Sequence, residues 1–152
     1  MRKTEENVII IRKASPSDFA QIVKIENLSF EKPYPPALIL SLLYLHSDLF
    51  YVAVANNEVI GYVVGAKKGN GHGHVISIAV KPEWRRRGVG TKLMEALLNA
   101  FKERGLKAAI LEVATSNREA IAFYKALGFE KIDLMKKYYP WGEDAYVMIK
   151  KL

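Results

Sequence analysis

Residues 74–105 place an apolar strand, a basic turn and a glycine-led helix in direct succession, and this order limits the folds open to the chain. Val75–Val80 is apolar on both faces, which predicts a central strand that is covered on both sides. Gly88-Val89-Gly90 then opens a helix, and Gly105 occupies the position typical of a glycine that ends one. The apolar residues of this helix recur at near-helical spacing, at Val89, Leu93, Leu97 and Phe101.

A strand that delivers Gly-x-Gly to a helix N-terminus is suited to binding an anion. The first amides of the helix have no intrahelical partner, and the helix dipole is positive there. Arg85, Arg86 and Arg87 add positive charge beside the glycines. Glycine makes up about 7% of average proteins, so Gly-x-Gly alone says little. A second glycine-rich stretch, Gly69–Gly73, precedes a strand and is interpreted as a flexible hairpin connection. The context of the first stretch predicts a pyrophosphate site.

Hydrophobic periodicity and turn signals predict the element order β-α-α-β-β-β-α-β-α-β-β. The predicted strands are Val8–Ile11, Phe50–Ala55, Val59–Ala66, Val75–Val80, Lys107–Val113, Phe129–Lys136 and Asp144–Lys151. The predicted helices run from a cap at Ser15 to about Ser29, over Ala37–His46, from Gly88 to Gly105, and from a cap at Ser116-Asn117 to Gly128. Three prolines between Phe30 and Pro36 forbid helix continuation there. This order predicts a three-layer α/β domain with helices on both faces of a mixed sheet.

Composition excludes several classes of protein. At 152 residues, with 50% hydrophobic and 26% charged residues, the chain is expected to form one globular domain. The absence of cysteine excludes disulfides, thiolate metal sites and a cysteinyl acyl-enzyme. Three histidines without a plausible set of partners predict no metal site. The net charge of +7 fits either a generally basic surface or a phosphate-rich ligand, while no base-stacking motif supports direct binding of nucleic acid.

The first residues of the sequence are not expected to be a signal peptide. Residues 1–7 are a polar tail without the apolar segment of a signal peptide, and the domain is expected to cover residues 8–152. No apolar run reaches the length needed to cross a bilayer, so no membrane partner is predicted. The expected location is the cytoplasm.

The glycine motif carries a family resemblance. Arg85-Arg-Arg-Gly-Val-Gly90 resembles the Arg/Gln-x-x-Gly-x-Gly/Ala acyl-CoA signature of the GNAT acetyltransferases. A dinucleotide site would need Gly-x-Gly-x-x-Gly, but position 93 is Leu, and no Walker A sequence is present. The predicted element order is also that of the GNAT fold. The resemblance therefore implies a single-domain, mostly antiparallel mixed sheet that uses acetyl-CoA without a metal.

The C-terminal half is similar to one subfamily, the ribosomal-protein-alanine and other protein N-terminal acetyltransferases. The matching segments are Leu111-Glu-Val113, Ser116-Asn117, Ala120-Ile-Ala-Phe-Tyr124, Leu127-Gly-Phe129, Tyr138-Tyr-Pro140, Gly142-Glu-Asp-Ala145 and Met148, and Gly73–Val80 is similar to a strand of archaeal members. The resemblance implies direct transfer of acetyl from acetyl-CoA to the free α-amine of a protein, within a ternary complex. A ribosomal protein is one candidate substrate, and an auxiliary subunit is neither implied nor excluded.

Two residues are the candidate catalytic groups. Glu112 lies on a predicted strand, where partial burial is expected to raise the pKa of its carboxyl group toward the range of a useful base. The resemblance also gives Glu112 the role of base, and the alternative is a structural Glu that pairs with a basic side chain. Tyr124 falls on the apolar stripe of its helix, which suits a core tyrosine. The resemblance instead makes its hydroxyl the acid that protonates the CoA sulfur.

The remaining candidates bind the two substrates. The residues expected to bind acetyl-CoA are Ile78, Ala79, Val80, Arg85, Arg86, Arg87, Gly88, Val89, Gly90, Thr91, Asn117 and Tyr124, with the backbone of Ile78–Val80 pairing with pantetheine like an added strand. Tyr34, Tyr138 and Tyr139 are candidates to wall a narrow peptide slot, or are surface aromatics that pack on the sheet. Glu26 either receives a charge of the substrate or faces water.

The sequence departs from the subfamily pattern at two positions. Ala114 replaces an Arg of the family motif, and Lys32 stands where some archaeal relatives carry a Glu. These departures leave the preferred N-terminal residue open. The alternatives to protein N-terminal acetylation are a GNAT enzyme for a small-molecule amine and a CoA-binding or ribosome-associated module without catalysis.

Overall fold

The computed structural model describes residues 8–152, and the tail predicted at residues 1–7 lies outside the described residues. The strands of the described part are β1 (Ile10–Lys13), β2 (Phe50–Ala55), β3 (Glu58–Lys68), β4 (His72–Val80), β5 (Ala108–Ala114), β6 (Glu130–Met135) and β7 (Ala145–Lys151). The α-helices of this part are α1 (Phe19–Ser29), α2 (Pro36–Leu45), α3 (Val89–Glu103) and α4 (Arg118–Ala126). The element order predicted from the sequence is confirmed.

The strands form one sheet in the order β1-β2-β3-β4-β5-β7-β6. The pairs β1–β2, β2–β3, β5–β7 and β6–β7 are antiparallel, whereas β4 and β5 are parallel. The predicted fold class, a mixed and mostly antiparallel sheet, is therefore confirmed. By its contacts the chain divides into two compact units: a first that runs to Gly65 and includes Ser77–Asn99, and a second that comprises Ala66–Ile76 and Ala100–Leu152.

Two neighbouring residues of β3 show that the first unit has helices on both faces of its strands. A Cβ at Gly61 would lie 3.1 Å from Leu93 of α3. The adjacent Tyr62 must point to the opposite face, because side chains alternate along a strand, and its hydroxyl contacts Glu26 of α1. Helices α1 and α3 therefore cover opposite faces, as the sequence predicted.

Local signals fix the 3-10 turn Pro16–Asp18, which leads into α1, and the β2–β3 hairpin. The carboxylate of Asp18 accepts the amide of Ser15 at 2.8 Å and pairs with Arg12 of β1, which lowers the pKa of Asp18. Asn56 and Asn57 both have positive φ, 53° and 61°, as a type I′ turn between two strands requires.

Helix α3 buries the stripe predicted from its spacing. Val89 is 1% exposed, and Leu93, Leu97 and Phe101, which follow it on the same face, are fully buried. At the C-terminus Gly105 has φ of 73°, its amide donates to the carbonyl of Lys102, and the amide of Leu106 donates to the carbonyl of Phe101. This pair of hydrogen bonds is a Schellman motif, in which glycine tolerates the left-handed conformation.

The faces of the second unit follow from the register of its strands. Val113 of β5 pairs with Tyr146 of β7, and Tyr146 lines a cavity of about 380 Å³ together with Ile121 of α4. Helix α4 therefore lies on the face of Val113 and Tyr146. Glu112 is the next residue along β5, so its side chain projects from the opposite face.

Several details differ from the sequence prediction. Strand β4 begins at His72 instead of Val75, so Gly73, expected in a flexible connection, lies in a strand. Strand β1 begins at Ile10 instead of Val8. Strand β4 was expected to be covered on both faces, but Ile76 and Ile78 are only half-buried, because apolar composition does not distinguish a covered face from one that stays accessible. Strand β6 is exposed along its whole length and has a register shift between Lys131 and Asp133. No helix of residues 8–152 is long and apolar enough to cross a membrane.

Candidate active site

Glu112 and His74 form a side-chain pair in the second unit. His74 is aligned with Ile110 in the parallel pairing of β4 and β5, and Ile110 shares a face of β5 with Glu112. Nε2 of His74 lies 2.7 Å from Oε1 of Glu112. The side chains are 25% and 11% exposed, so the pair is shielded from water but still accessible. The sequence offered pairing with a basic side chain as the alternative role of Glu112, and the contact with His74 is such a pairing.

A tyrosine of the β6–β7 connection completes this group. The hydroxyl of Tyr138 donates to Oε1 of Glu112 at 3.3 Å, a long hydrogen bond. Both contacts of the carboxylate thus involve Oε1. No donor among residues 8–152 contacts Oε2, which leaves this atom available to a substrate.

The direction of the Glu112 pKa shift was predicted wrongly. Burial does raise the pKa of Glu112, and it is the largest single influence. The hydrogen bond from His74, the charges of His74 and Lys68, and the hydrogen bond from Tyr138 together outweigh it, so the net pKa is lowered. Glu112 is therefore held as an unprotonated carboxylate near neutral pH.

His74 is the functional candidate that sequence reasoning missed. The sequence separates His74 from Glu112 by 38 positions, so no local pattern links the two residues. The parallel register of β4 and β5 is what brings the pair together, since it aligns His74 with Ile110, two residues before Glu112 on the same face of β5. Among residues 8–152 no group of three or more His, Cys, Asp or Glu side chains is arranged to hold a metal.

Tyr124, the candidate acid, lies on α4. Its ring packs against the rings of Phe123 and Phe129, with centroids 5.5 and 6.0 Å away, and the side chain is half-buried. Because α4 covers the face of β5 opposite to Glu112, the two catalytic candidates lie on opposite faces of that strand. Asn117 caps the same helix by accepting the amide of Ala120 at 3.1 Å, as predicted.

The β6–β7 connection carries an ordered aromatic cluster. Tyr138 packs edge-on against Tyr139, and Tyr139 stacks on Trp141 at 4.8 Å between centroids and 13° between planes. Glu143 ties the cluster to the start of α4, because its carboxylate accepts the indole N–H of Trp141 at 3.2 Å and the hydroxyl of Ser116. The two tyrosines predicted to wall a slot are therefore held in a defined arrangement, and one of them contacts Glu112.

The predicted phosphate site lies in the first unit at the start of α3. Gly88 has φ of 79°, and a Cβ built there would meet no atom within 4 Å, so the backbone faces open space. The first residues of the helix, Val89, Gly90 and Thr91, have amides that precede the first intrahelical hydrogen bond, which the amide of Lys92 donates to Gly88. The geometry suits an anion that approaches the backbone.

The three arginines of the turn differ in their surroundings. Arg85 donates from Nε to the carbonyl of Val80 at 3.0 Å and contacts Ser29, whereas Arg87 lies over the ring of Trp84 at 4.8 Å. Arg86 has φ of 62° and makes no side-chain contact of this kind within residues 8–152. The cluster therefore combines two arginines held by the protein with one that projects into solvent. Of the strand residues predicted to bind pantetheine, Ala79 is buried and Ile78 is half-buried.

The peptide-site candidates of the first unit are Tyr34 and Glu26. Glu26 does not face water, because it is only 2% exposed. Its Oε2 accepts the backbone amide of Tyr34 at 2.9 Å, and its Oε1 accepts the hydroxyl of Tyr62. Burial raises the pKa of Glu26, and these two hydrogen bonds offset only part of the increase. Glu26 is thus connected to Tyr34 through the main chain.

Comparison with known proteins identifies the family. The model of the acetyltransferase (GNAT) family matches residues 19–129, which is most of the chain. The chain belongs to the GNAT acetyltransferase family. The family resemblance and the fold expected from the sequence are therefore confirmed. The chain is an acetyl-CoA-dependent acetyltransferase.

Archaeal proteins are among the most similar relatives. An uncharacterized N-acetyltransferase of Methanocaldococcus jannaschii is 42% identical over 144 residues, covering 94% of this chain and 92% of that protein. An N-alpha-acetyltransferase of Saccharolobus solfataricus is 36% identical over 154 residues, covering 93% and 92%. The crystal structure of Ard1 from Thermoplasma volcanium has a TM-score of 0.90 and 35% identity, over 95% of this chain and 97% of that one.

Proposed function

We propose that this protein transfers acetyl from acetyl-CoA to the free α-amine at the N-terminus of a protein. The observation that carries the proposal is the Glu112 carboxylate, which is ordered by His74 and Tyr138 and retains one oxygen without a partner in residues 8–152. Similarity to relatives named N-alpha-acetyltransferase supports the α-amine as the acceptor.

An N-terminal amine needs only a modest base. Its pKa is about 7.7–8.0, against about 10.4 for the side chain of lysine, so a useful fraction is already uncharged near neutral pH. Glu112, whose pKa is lowered, is a carboxylate under these conditions. In the proposed reaction the amine nitrogen forms a bond to the acetyl carbon, the carbon–sulfur bond breaks, and Glu112 accepts the proton that the nitrogen loses.

Tyr124 is proposed to protonate the departing sulfur. A phenol with a pKa near 10 can hydrogen-bond to a thiolate whose conjugate acid has a pKa of about 8.5, and can then transfer its proton at small cost. Tyr124 belongs to α4, which covers one face of β5, and Glu112 projects from the other face, so in this proposal the acid and the base act from different sides of the strand. The electron pair of the broken bond stays on sulfur, and the proton of Tyr124 neutralises it.

Acetyl-CoA is proposed to bind along β4 and the start of α3. The amides of Val89, Gly90 and Thr91 and the open backbone at Gly88 suit the pyrophosphate, with Arg85–Arg87 supplying positive charge. The backbone of Ile78–Val80 is proposed to pair with pantetheine, and Asn117 is proposed to contact it in addition to capping α4.

Tyr34, Tyr138 and Tyr139 are proposed to wall the site for the first residues of the peptide. The contact between Tyr138 and Glu112 supports this role for the β6–β7 connection, because it joins a wall residue to the base. A ribosomal protein stays one candidate substrate, and the cytoplasm stays the expected location.

The test is acetylation of short peptides that differ only in their first residue, each with an N-blocked, lysine-containing control. Wild type is expected to acetylate the α-amine of free peptides and to leave the blocked controls unmodified. Glu112→Gln is expected to lower kcat/KM by about a hundredfold or more, because a general base usually contributes at least that much. Faster transfer to polyamines than to peptides would contradict the proposal, as would acetyl-CoA binding without transfer to any amine.

A further inference from the structure

Glu26 is a carboxylate enclosed in the core of the first unit. Glu is almost never fully buried unless it is paired, yet Glu26 is 2% exposed and lies in α1 beside the fully buried Ile22 and Ile25. Apolar residues at such positions are generally at least as stabilising as buried charges. The presence of a carboxylate therefore calls for an explanation other than stability.

A chain of hydrogen bonds orients this carboxylate. The hydroxyl of Tyr62, itself 2% exposed, donates to Oε1 of Glu26. Its single proton is used in that bond, so the 3.1 Å contact with Ser77 places the Ser77 hydroxyl as donor to the oxygen of Tyr62. Two strands of the sheet thus fix the rotation of the Glu26 carboxyl group and direct Oε2 toward the segment that joins α1 to α2.

Oε2 binds the one amide available in the middle of that segment. Residues 33–36 read Pro-Tyr-Pro-Pro, and proline has no backbone N–H, so Tyr34 supplies the only amide donor of the four. This amide donates to Oε2 of Glu26 at 2.9 Å. Because the flanking prolines restrict the backbone, fixing the Tyr34 amide also fixes the direction in which the Tyr34 side chain leaves the main chain.

We propose that Glu26 is a positioning residue that determines which N-terminal residue is accepted, by holding Tyr34 in place through its backbone amide. The inference rests on the proposed function, in which Tyr34 walls the site for the first residues of the peptide. In this proposal Glu26 acts without contacting the substrate, because it is only 2% exposed and bonds to Tyr62 and the Tyr34 main chain. This positioning role differs from the role expected from the sequence, in which Glu26 receives a charge of the substrate directly.

Two variants separate this role from general stability. Glu26→Gln keeps an oxygen acceptor for the Tyr34 amide and a polar partner for Tyr62, so it is the conservative control. The double variant Glu26→Met, Tyr62→Phe removes the carboxylate and the hydroxyl that bond to each other. The side-chain volumes stay similar, and cores generally tolerate such a replacement. In the double variant the Tyr34 amide loses its acceptor and the rest of the core is expected to remain packed. Tyr62→Phe alone is a milder third variant, which frees the rotation of the carboxyl group.

The measurements are kcat and KM for peptides that differ in their first residue, the Kd for acetyl-CoA, and the Tm. The double variant is expected to raise the KM of the preferred peptide about tenfold, the effect of losing one hydrogen bond to a charged acceptor, and to flatten the preference among first residues. Its kcat and its Kd for acetyl-CoA are expected to stay within about twofold of wild type. Glu26→Gln is expected to retain wild-type selectivity, and Tyr62→Phe to shift KM in the same direction by a smaller factor.

Three outcomes would overturn the inference. An unchanged KM and an unchanged preference in a folded double variant would show that Glu26 acts on stability only. A large loss of kcat at constant KM would show that it acts on the chemical step. If the double variant does not fold, unaltered selectivity in Tyr62→Phe decides against the inference. Failure of the wild type to acetylate any α-amine is a separate result, which would refute the proposed function and with it the role given to Tyr34.

Discussion

The substitution Gly73→Ala tests how tightly α3 is packed against the start of β4. A Cβ at position 73 would lie 2.4, 2.5 and 2.6 Å from three atoms of the Phe101 ring. Favourable carbon–carbon contacts lie at about 3.5–4.0 Å, so the ring or the strand would have to move by about 1 Å. Phe101 is fully buried and has no solvent-exposed space to move into. Overpacking of this kind costs about 1–3 kcal/mol, which corresponds to a fall in Tm of roughly 2–12 °C for a chain of this size.

The assay is thermal and urea-induced unfolding, with Gly69→Ala as the matched control. Gly69 belongs to the same glycine-rich stretch, but a Cβ there would meet nothing within 4 Å, so the control is expected to be neutral or slightly stabilising. Phe101→Leu shortens the opposing side chain, and the double-mutant cycle is expected to show a favourable coupling of about 1 kcal/mol or more with Gly73→Ala. A Gly73→Ala protein as stable as wild type, or a cycle without coupling, would refute the packing argument.

Two further predictions concern the active site and its supporting helix. In His74→Ala the strongest influences that lower the pKa of Glu112 are lost while burial remains, so the pKa rises and the acidic limb of the kcat/KM–pH profile moves to higher pH. His72→Ala lies two residues earlier on the same strand and is the control, and an equal displacement of both profiles would argue against the His74–Glu112 pair. Asn117→Ala removes the cap that accepts the Ala120 amide and is expected to cost about 1 kcal/mol in urea unfolding. The control Asn99→Ala is an exposed substitution inside α3 and is expected to be neutral or slightly stabilising, so equal losses of stability in the two variants would exclude a capping role.

Local sequence signals predicted the elements of the fold well. The proline and capping residues before α1, the paired asparagines of the β2–β3 turn and Gly105 after α3 each act within a few residues, so their effects can be read from neighbouring positions. The helical spacing of the α3 stripe likewise predicted which of its residues are buried. Turns, caps and helix faces depend on backbone conformation and on the spacing of apolar residues, and both are determined by residues close together in the sequence.

The arrangement of the candidate site depended on contacts that no local pattern contains. The partner of Glu112 is 38 residues away, and the partner of Glu26 on β3 is 36 residues away. The pKa of Glu112 was predicted in the wrong direction because burial was inferred from the strand pattern while the neighbouring charges were unknown. Glu26 appeared polar in sequence and was expected at the surface or in the substrate site, but the fold encloses it.

Strand β6 bears on how the protein behaves at high concentration. It forms one end of the sheet, and Ile132, Leu134 and Met135 on it are 54%, 43% and 41% exposed. A long, flat and apolar edge strand can add strands from other molecules and begin aggregation. Here the register shift between Lys131 and Asp133 interrupts the ladder, and the two side chains put opposite charges beside the irregularity. Resistance to amyloid-like growth then depends on this register shift and on the two charges beside it. A substitution that restored a regular ladder would lower the solubility of the protein, while its fold and its active site would stay the same.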